Sequence, residues 1–254
     1  MNALLLNNSA FEGQNILVTG GASGIGRKIV LKLAELGALV FINYNKSEKE
    51  AYELEQYILN RGGKCVLVQA NLLVSNEVQA MFDTLYSYTD RLDALVNNSG
   101  ILIKRSVINC TENDWDKVID TNLKGAFLCS KYAIKNMIIH REGSIVNILS
   151  TIINRAISMQ GAYTASKAGL MGLTKVMAKE FGPMGIRVNA VSPGPVLTDL
   201  NNWSPDEIEK IRKQIPLNKM TSSEDVANVV IFLLSQYSKQ ITGEIINIDG
   251  GLCL

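Results

Sequence analysis

Thr19-Gly20-Gly21-Ala22-Ser23-Gly24-Ile25-Gly26 joins a short apolar run, Asn15–Thr19, to a helical segment, Ile25–Leu36. Glycines there allow a tight turn and let backbone N–H groups approach an anion, and the helix that follows turns its positive end toward it. A bare glycine cluster fits an ordinary turn as well. Its place between a first strand and a first helix makes Gly20, Ser23, Gly24, Ile25 and Gly26 candidates for holding a pyrophosphate.

The rest of the chain repeats that unit. Ala38–Tyr44, Cys65–Gln69, Asp93–Val96, Ser144–Ile148, Arg187–Val191 and Glu244–Ile248 read as further strands, several apolar on both faces. Lys46–Asn60, Ser75–Tyr88, Glu112–Met137, Ala162–Phe181 and Ser223–Ser235 read as helices between them. Such alternation implies right-handed crossovers, in an open doubly wound sheet or in an eight-fold barrel. The glycine turn favours the open sheet. The expectation is a three-layer doubly wound (Rossmann) α/β fold with a seven-stranded parallel sheet, residues 1–254 forming one domain. Ser192 to Trp203, with Pro193, Gly194 and Pro195, is the longest irregular stretch and the natural place for a lid.

Charge and composition exclude other classes. Twenty-five Lys and Arg against 24 Asp and Glu leave a net charge of +1, so neither nucleic acid nor an anionic membrane is expected as a partner. Cys65, Cys110, Cys129 and Cys253 are scattered, and His140 is the single histidine, a poor basis for disulfides or a metal site. No run approaches the roughly 18 apolar residues of a membrane span. A soluble, cytoplasmic protein without metal is expected.

Tyr163-Thr164-Ala165-Ser166-Lys167 carries the chemistry. Residues four apart share a helix face, so phenol and ammonium can enter one pocket. An ammonium ~4 Å away at an effective dielectric of ~20 is worth about 4 kcal/mol, enough to bring a phenol from about 10 to about 7. Tyr163 is then expected to exchange a proton near neutral pH. Ser150, thirteen residues earlier at the end of the fifth strand, could hold the substrate oxygen.

These motifs together resemble the short-chain dehydrogenase/reductase family. The glycine turn is similar to its T-G-x-x-x-G-I-G loop. Asn97-Asn98-Ser99-Gly100 resembles its N-N-A-G, with Ser99 in place of alanine, and Asp249-Gly250-Gly251 ends the sheet as in relatives. The resemblance implies a catalytic tetrad of Asn122, Ser150, Tyr163 and Lys167, with Asn122 holding a water that links the lysine to solvent. It also implies that Lys167 bonds the nicotinamide ribose, and that Asn98, Gly100, Pro193, Gly194, Val196 and Thr198 line the cofactor site. Relatives are usually tetramers, joined through the helices Glu112–Met137 and Ala162–Phe181 and the last strand. A homotetramer is therefore expected. The chain looks most like 3-oxoacyl thioester reductases and glucose dehydrogenases. Gln160 and Thr198-Asp199 resemble the former, but the two basic residues with which those enzymes dock an acyl carrier protein fall at Ser144 and Met184 here. A carrier-bound substrate is thus in doubt.

The end of the second strand separates NAD from NADP. An acidic side chain there bonds the ribose 2′-hydroxyl of NAD. This chain has Asn43-Tyr44-Asn45-Lys46-Ser47, with no carboxylate before Glu48. Lys46 can pair with a 2′-phosphate, helped by Asn45 and Ser47, although Ser23 stands where many NADP enzymes carry a basic residue. NADP is expected, with NAD possible. Asn71 and Leu72 would receive the adenine, through the amide oxygen. Ile152, Ile153, Asn154, Ile157 and Leu200–Trp203 are candidate walls for the substrate. The expected reaction is reduction of a ketone, a 3-oxoacyl thioester or small carbonyl, to a secondary alcohol. The alternatives are sugar or alcohol oxidation, and a dinucleotide-sensing regulator without catalysis.

Overall fold

The structure is a computed structural model and describes residues 9–197 and 203–254. Seven strands form one parallel sheet: β1 (Asn15–Val18), β2 (Leu39–Tyr44), β3 (Lys64–Gln69), β4 (Ala94–Asn97), β5 (Gly143–Ile148), β6 (Ile186–Pro193) and β7 (Ile245–Ile248). Their order is β3-β2-β1-β4-β5-β6-β7. The register pairs Val18 with Ile42 on one side and with Val96 on the other.

Helices cover both faces, giving three layers. α1 (Gly24–Glu35), α2 (Glu48–Leu59) and α9 (Ser223–Leu234) bury Ile29, Leu54 and Val230 against Val18, Val40 and Val146. α3 (Ser75–Tyr88), α5 (Gly125–His140) and α7 (Gly161–Phe181) bury Phe82, Met137 and Met177 against Leu17, Phe41 and Ile145. Leu17 and Val18 thus face opposite layers, which is why the strands read as unbroken apolar runs. A Leu17→Ala change in such a core costs about 2–5 kcal/mol.

Three elements differ from the expectation. The segment expected as one helix, Glu112–Met137, is α4 (Glu112–Ile119), a π-turn (Asp120–Lys124) and α5. A one-turn helix, α6 (Ile152–Arg155), and α8 (Pro205–Arg212) break what read as irregular chain. α8 opens with a complete capping box, Ser204 to Glu207, and carries Pro205 in its first turn. That signal was in the sequence and went unused. The order of the strands reverses between β1 and β4, so the loops that leave their carboxyl ends part there and open a crevice.

Candidate active site

The crevice is a cleft of about 840 Å³ running from Ser23 and Lys46 at one end to Tyr163, Arg155 and Trp203 at the other. Its floor is stitched at the switch point. Thr19 Oγ1 accepts from the Asn98 and Ser99 amides at 2.9 and 3.1 Å. Asn98 Nδ2 donates to the Thr19 and Gly20 carbonyls, both at 3.0 Å. Asn43, buried at the end of β2, accepts from the Gly20 amide at 3.3 Å and donates to the Val68 and Ala70 carbonyls at 3.2 Å. Three loops from three strands are therefore held by two asparagines and a threonine. Sequence reasoning assigned Asn98 to the cofactor and passed over Thr19 and Asn43, whose signal is a polar side chain at the end of an apolar strand.

Gly20 adopts φ 59°, the left-handed region. Gly26 does not line the cleft, which corrects its assignment to direct cofactor contact. A Cβ on it would come within 2.3 Å of the Gly20 carbonyl oxygen and 2.5 Å of Asn98 Nδ2. Its role is close packing of α1 under the loop. Ser23 caps α1 in an extended conformation without a side-chain bond, and the first turn carries no acidic residue. The N–H groups of that turn are thus left for an anion. Gly20, Ser23, Gly24 and Ile25 all line the cleft. A pyrophosphate fits this donor set.

Farther along, Asn45, Lys46 and Ser47 line the cleft where β2 ends, beside buried Tyr44. Asn71 and Leu72 line it after β3, the Asn71 oxygen accepting from the Leu73 amide at 3.1 Å. No Asp or Glu is among the described lining residues.

The reacting end depends on α7. Its buried residues Tyr163, Lys167, Leu170, Thr174 and Met177 recur at three and four, so phenol and ammonium belong to the same buried stripe that anchors the helix. Tyr163 packs with Val118 and Ile152 and is 9% exposed, and Lys167 is 3% exposed. Lys167 Nζ donates to the Ile148 carbonyl at 2.7 Å and lies 5.7 Å from the centre of the Tyr163 ring. Burial pushes the Tyr163 phenol up to about 12, opposed by a hydrogen bond from Ser150. Burial also brings the Lys167 ammonium down to about 8. The direction for Tyr163 is opposite to the lowering expected from the spacing of phenol and ammonium, and burial is its largest cause.

Asn122 does not line the cleft and is 0% exposed. It sits on the π-turn, where the Gly125 amide reaches back to the Asp120 carbonyl. Its Nδ2 donates to the Ile101 carbonyl at 3.0 Å and to Ser166 Oγ at 3.1 Å, and its Oδ1 accepts from the Ile101 amide at 2.8 Å. The side chain clamps the loop after β4 to α7 one turn from Tyr163, and the extra residue of the π-turn makes that reach possible.

Gly100, Ser150, Pro193, Gly194 and Val196 line the cleft as expected, and Thr198 lies outside the described residues. Of the expected substrate walls, Ile152, Ile157 and Trp203 line it, whereas Ile153 and Asn154 do not. Ile153 faces the small cores around Tyr163 and Leu170. Residues 200–202 lie outside the described residues.

Known proteins share this fold. The family described as enoyl-(acyl carrier protein) reductase matches residues 20–253. A 3-oxoacyl-[acyl-carrier-protein] reductase, FabG, of Staphylococcus aureus is 41% identical over 240 residues, 94% of this chain and 98% of its own. Among solved structures, a short-chain dehydrogenase/reductase from Serratia marcescens aligns with a TM-score of 0.91 at 30% identity, covering 96% of this chain and all (100%) of that one. The chain belongs to the short-chain dehydrogenase/reductase family. A putative gluconate dehydrogenase from Agrobacterium tumefaciens aligns with a TM-score of 0.92 at 32% identity, over 96% and 97% of the two chains. This short-chain dehydrogenase/reductase is an oxidoreductase that works with a nicotinamide dinucleotide.

Proposed function

We propose that this enzyme reduces a ketone to a secondary alcohol with NADPH, taking a proton from Tyr163. The observation that carries the reading is the stripe on α7, which buries an acid and a cation side by side at the end of a dinucleotide-shaped cleft. Gly20, Ser23, Gly24 and Ile25 hold the pyrophosphate; Lys46, Asn45 and Ser47 hold the 2′-phosphate; Asn71 and Leu72 receive the adenine. Pro193, Gly194 and Val196 would receive the nicotinamide with Asn98 and Gly100. When bound, that group supplies the hydride. Ser150 orients the carbonyl oxygen by hydrogen bonding, and Tyr163, neutral well above working pH, stands ready as donor. Lys167 bonds the ribose and passes the replacement proton, with Asn122 positioning the relay.

The absence of a carboxylate from the described lining of the cleft supports NADP over NAD. The 41% identity to FabG supports a 3-oxoacyl thioester or a similar small carbonyl. A carrier protein finds less support: Ser144 is buried and accepts from Arg187 at 3.1 Å, and Met184 is uncharged. Oxidation of a sugar or sugar acid is the second reading, favoured by the likeness to the putative gluconate dehydrogenase. A homotetramer is supported by apolar side chains left exposed on α5 and α7, such as Ile139 (75%) and Val176 (58%). Sedimentation as a monomer at micromolar concentration would refute it. Among the described residues no helix is long and apolar enough to cross a membrane, which is compatible with a cytoplasmic site.

The deciding experiment titrates the protein with NADPH and NADH and then supplies 3-oxoacyl thioesters and small ketones. Tighter NADPH binding with NADPH consumption on a ketone supports the reading. NADH preference with activity only toward alcohols rejects it.

A further inference from the structure

The described walls of the cleft carry four basic side chains, Lys46, Lys117, Arg155 and Lys167, and no carboxylate. A cleft lined by one sign of charge gathers ligands of the other. Lys46 and Lys167 already have tasks in the reductase reading. Lys117 stands on α4, whose continuation packs on Leu72 at the adenine side. Arg155 is left without one.

Its position separates it from the cofactor phosphates. Lys46 follows β2 and Arg155 follows β5, and the order β2-β1-β4-β5 places three strand spacings between them, about 14 Å. Arg155 ends α6, the single turn that begins two residues after Ser150, so its backbone stays within about 10 Å of that hydroxyl. Ala156, in the left-handed region at φ 49°, then turns the chain out of the helix. The guanidinium Nη2 donates to Gln214 Oε1 at 2.8 Å, a neutral partner. None of the ion pairs among the described residues involves Arg155. A guanidinium offers five donors in a planar fork that matches a carboxylate, and among the described residues only one is committed.

We infer that Arg155 receives a carboxylate carried by the substrate close to its carbonyl, which makes an oxo acid, or the hydroxy acid formed from it, the substrate class of this cleft. The assignment rests on the reductase reading, because Ser150 and Tyr163 define where the carbonyl lies. The short span between Ser150 and Arg155 favours a carboxylate on a small substrate over a phosphate on a long thioester arm.

The test compares acetoacetate with two neutral forms of the same acid, its ethyl ester and its N-acetylcysteamine thioester, as substrates for NADPH consumption. Wild-type protein should reduce the free acid with the highest kcat/KM. Arg155→Ala should lower kcat/KM for the acid by about 10- to 100-fold and leave ester and thioester within about threefold. Arg155→Lys should recover part of the loss. Gln214→Ala, which removes only the neutral partner, should keep the preference. Equal use of acid and ester by the wild type, or an equal loss on all three substrates in Arg155→Ala, overturns the assignment and leaves the reductase reading standing. If none of the three is reduced, calorimetry of acetoacetate on protein saturated with NADP+ separates the two ideas. Binding that disappears in Arg155→Ala upholds the carboxylate site and shows that acetoacetate is not the ketone reduced; no binding in the wild type rejects the carboxylate site.

Discussion

Lys46 and Lys167 line the same cleft, one exposed at the end of β2 and the other buried in the stripe of α7. The attraction of the exposed lysine for a phosphate is screened by water. The buried lysine holds its charge against desolvation, which brings it down to about 8, and its field acts where little water dilutes it. The first is suited to choosing between cofactors. The second changes what its neighbours can do. On the proposed reading, selectivity belongs to groups that are cheap to alter, and chemistry to groups whose removal the whole helix feels.

The sharpest way to break this contrast is at Tyr163. Tyr163→Phe should lower kcat by about 10²–10⁴-fold while NADPH binding, followed by fluorescence, stays within about twofold. Turnover kept within tenfold of wild type would end the proton-transfer role. Gly26→Ala attacks the wall that both ends share. The new methyl meets the Gly20 carbonyl and Asn98, so stability should fall by about 1–3 kcal/mol, read by urea unfolding, with NADPH affinity falling alongside. Unchanged unfolding would mean that α1 shifts freely under its loop.

Lys167 allows a test of opposite sign. Its folded-state value, about 8, lies below the ordinary 10.5, so between those values the unfolded chain binds more protons than the folded one. Stability from this group should therefore rise as pH climbs from about 8 toward 10.5. Lys167→Met should remove that rise and, despite losing the bond to Ile148, add roughly 1–2 kcal/mol at pH 7, while activity collapses. Melting curves of both proteins at pH 7 and 9.5 check it; a variant that melts lower at both would show that the bond outweighs the burial cost. The smallest effect is at Lys46. Lys46→Ala should weaken NADPH about 5- to 20-fold and leave NADH unchanged, as a charged hydrogen bond in solvent allows. Equal weakening of both would remove its role in selection.

Much of this contrast was legible in the residues. The strands showed because both their faces are buried, and the phosphate loop showed because glycine is required at a left-handed turn and under a crossing backbone. Tyr163 and Lys167 stood out through spacing, and Ser150 and Asn122 through the family resemblance. The break in Glu112–Met137 did not, because Asp120, Thr121, Leu123 and Lys124 are ordinary helix residues. The π-turn comes with long-range bonds from Asn122 to Ile101 and Ser166, which local residue preferences do not announce. For the same kind of reason, the direction for Tyr163 differed from the one expected. Spacing places two groups on one face, and says nothing of how much protein closes over them. Arg155 carried no motif at all. It became visible only when α6 and the order of the strands set it beside Ser150.

The π-turn at Asp120–Lys124 has a consequence beyond Asn122. It closes with one residue more than an α-helical turn, and one residue is about 100° of rotation around the axis. Everything along α5 inherits that offset, including Cys129 and Met137 on the inner side and Phe127 and Ile139 on the outer. Deleting a single residue between 120 and 124 would rotate the helix by about 100°, carrying the core residues to its flank over four turns. Asn122 and the outward face are thus set by one phase, and evolution cannot retune either without carrying the other with it.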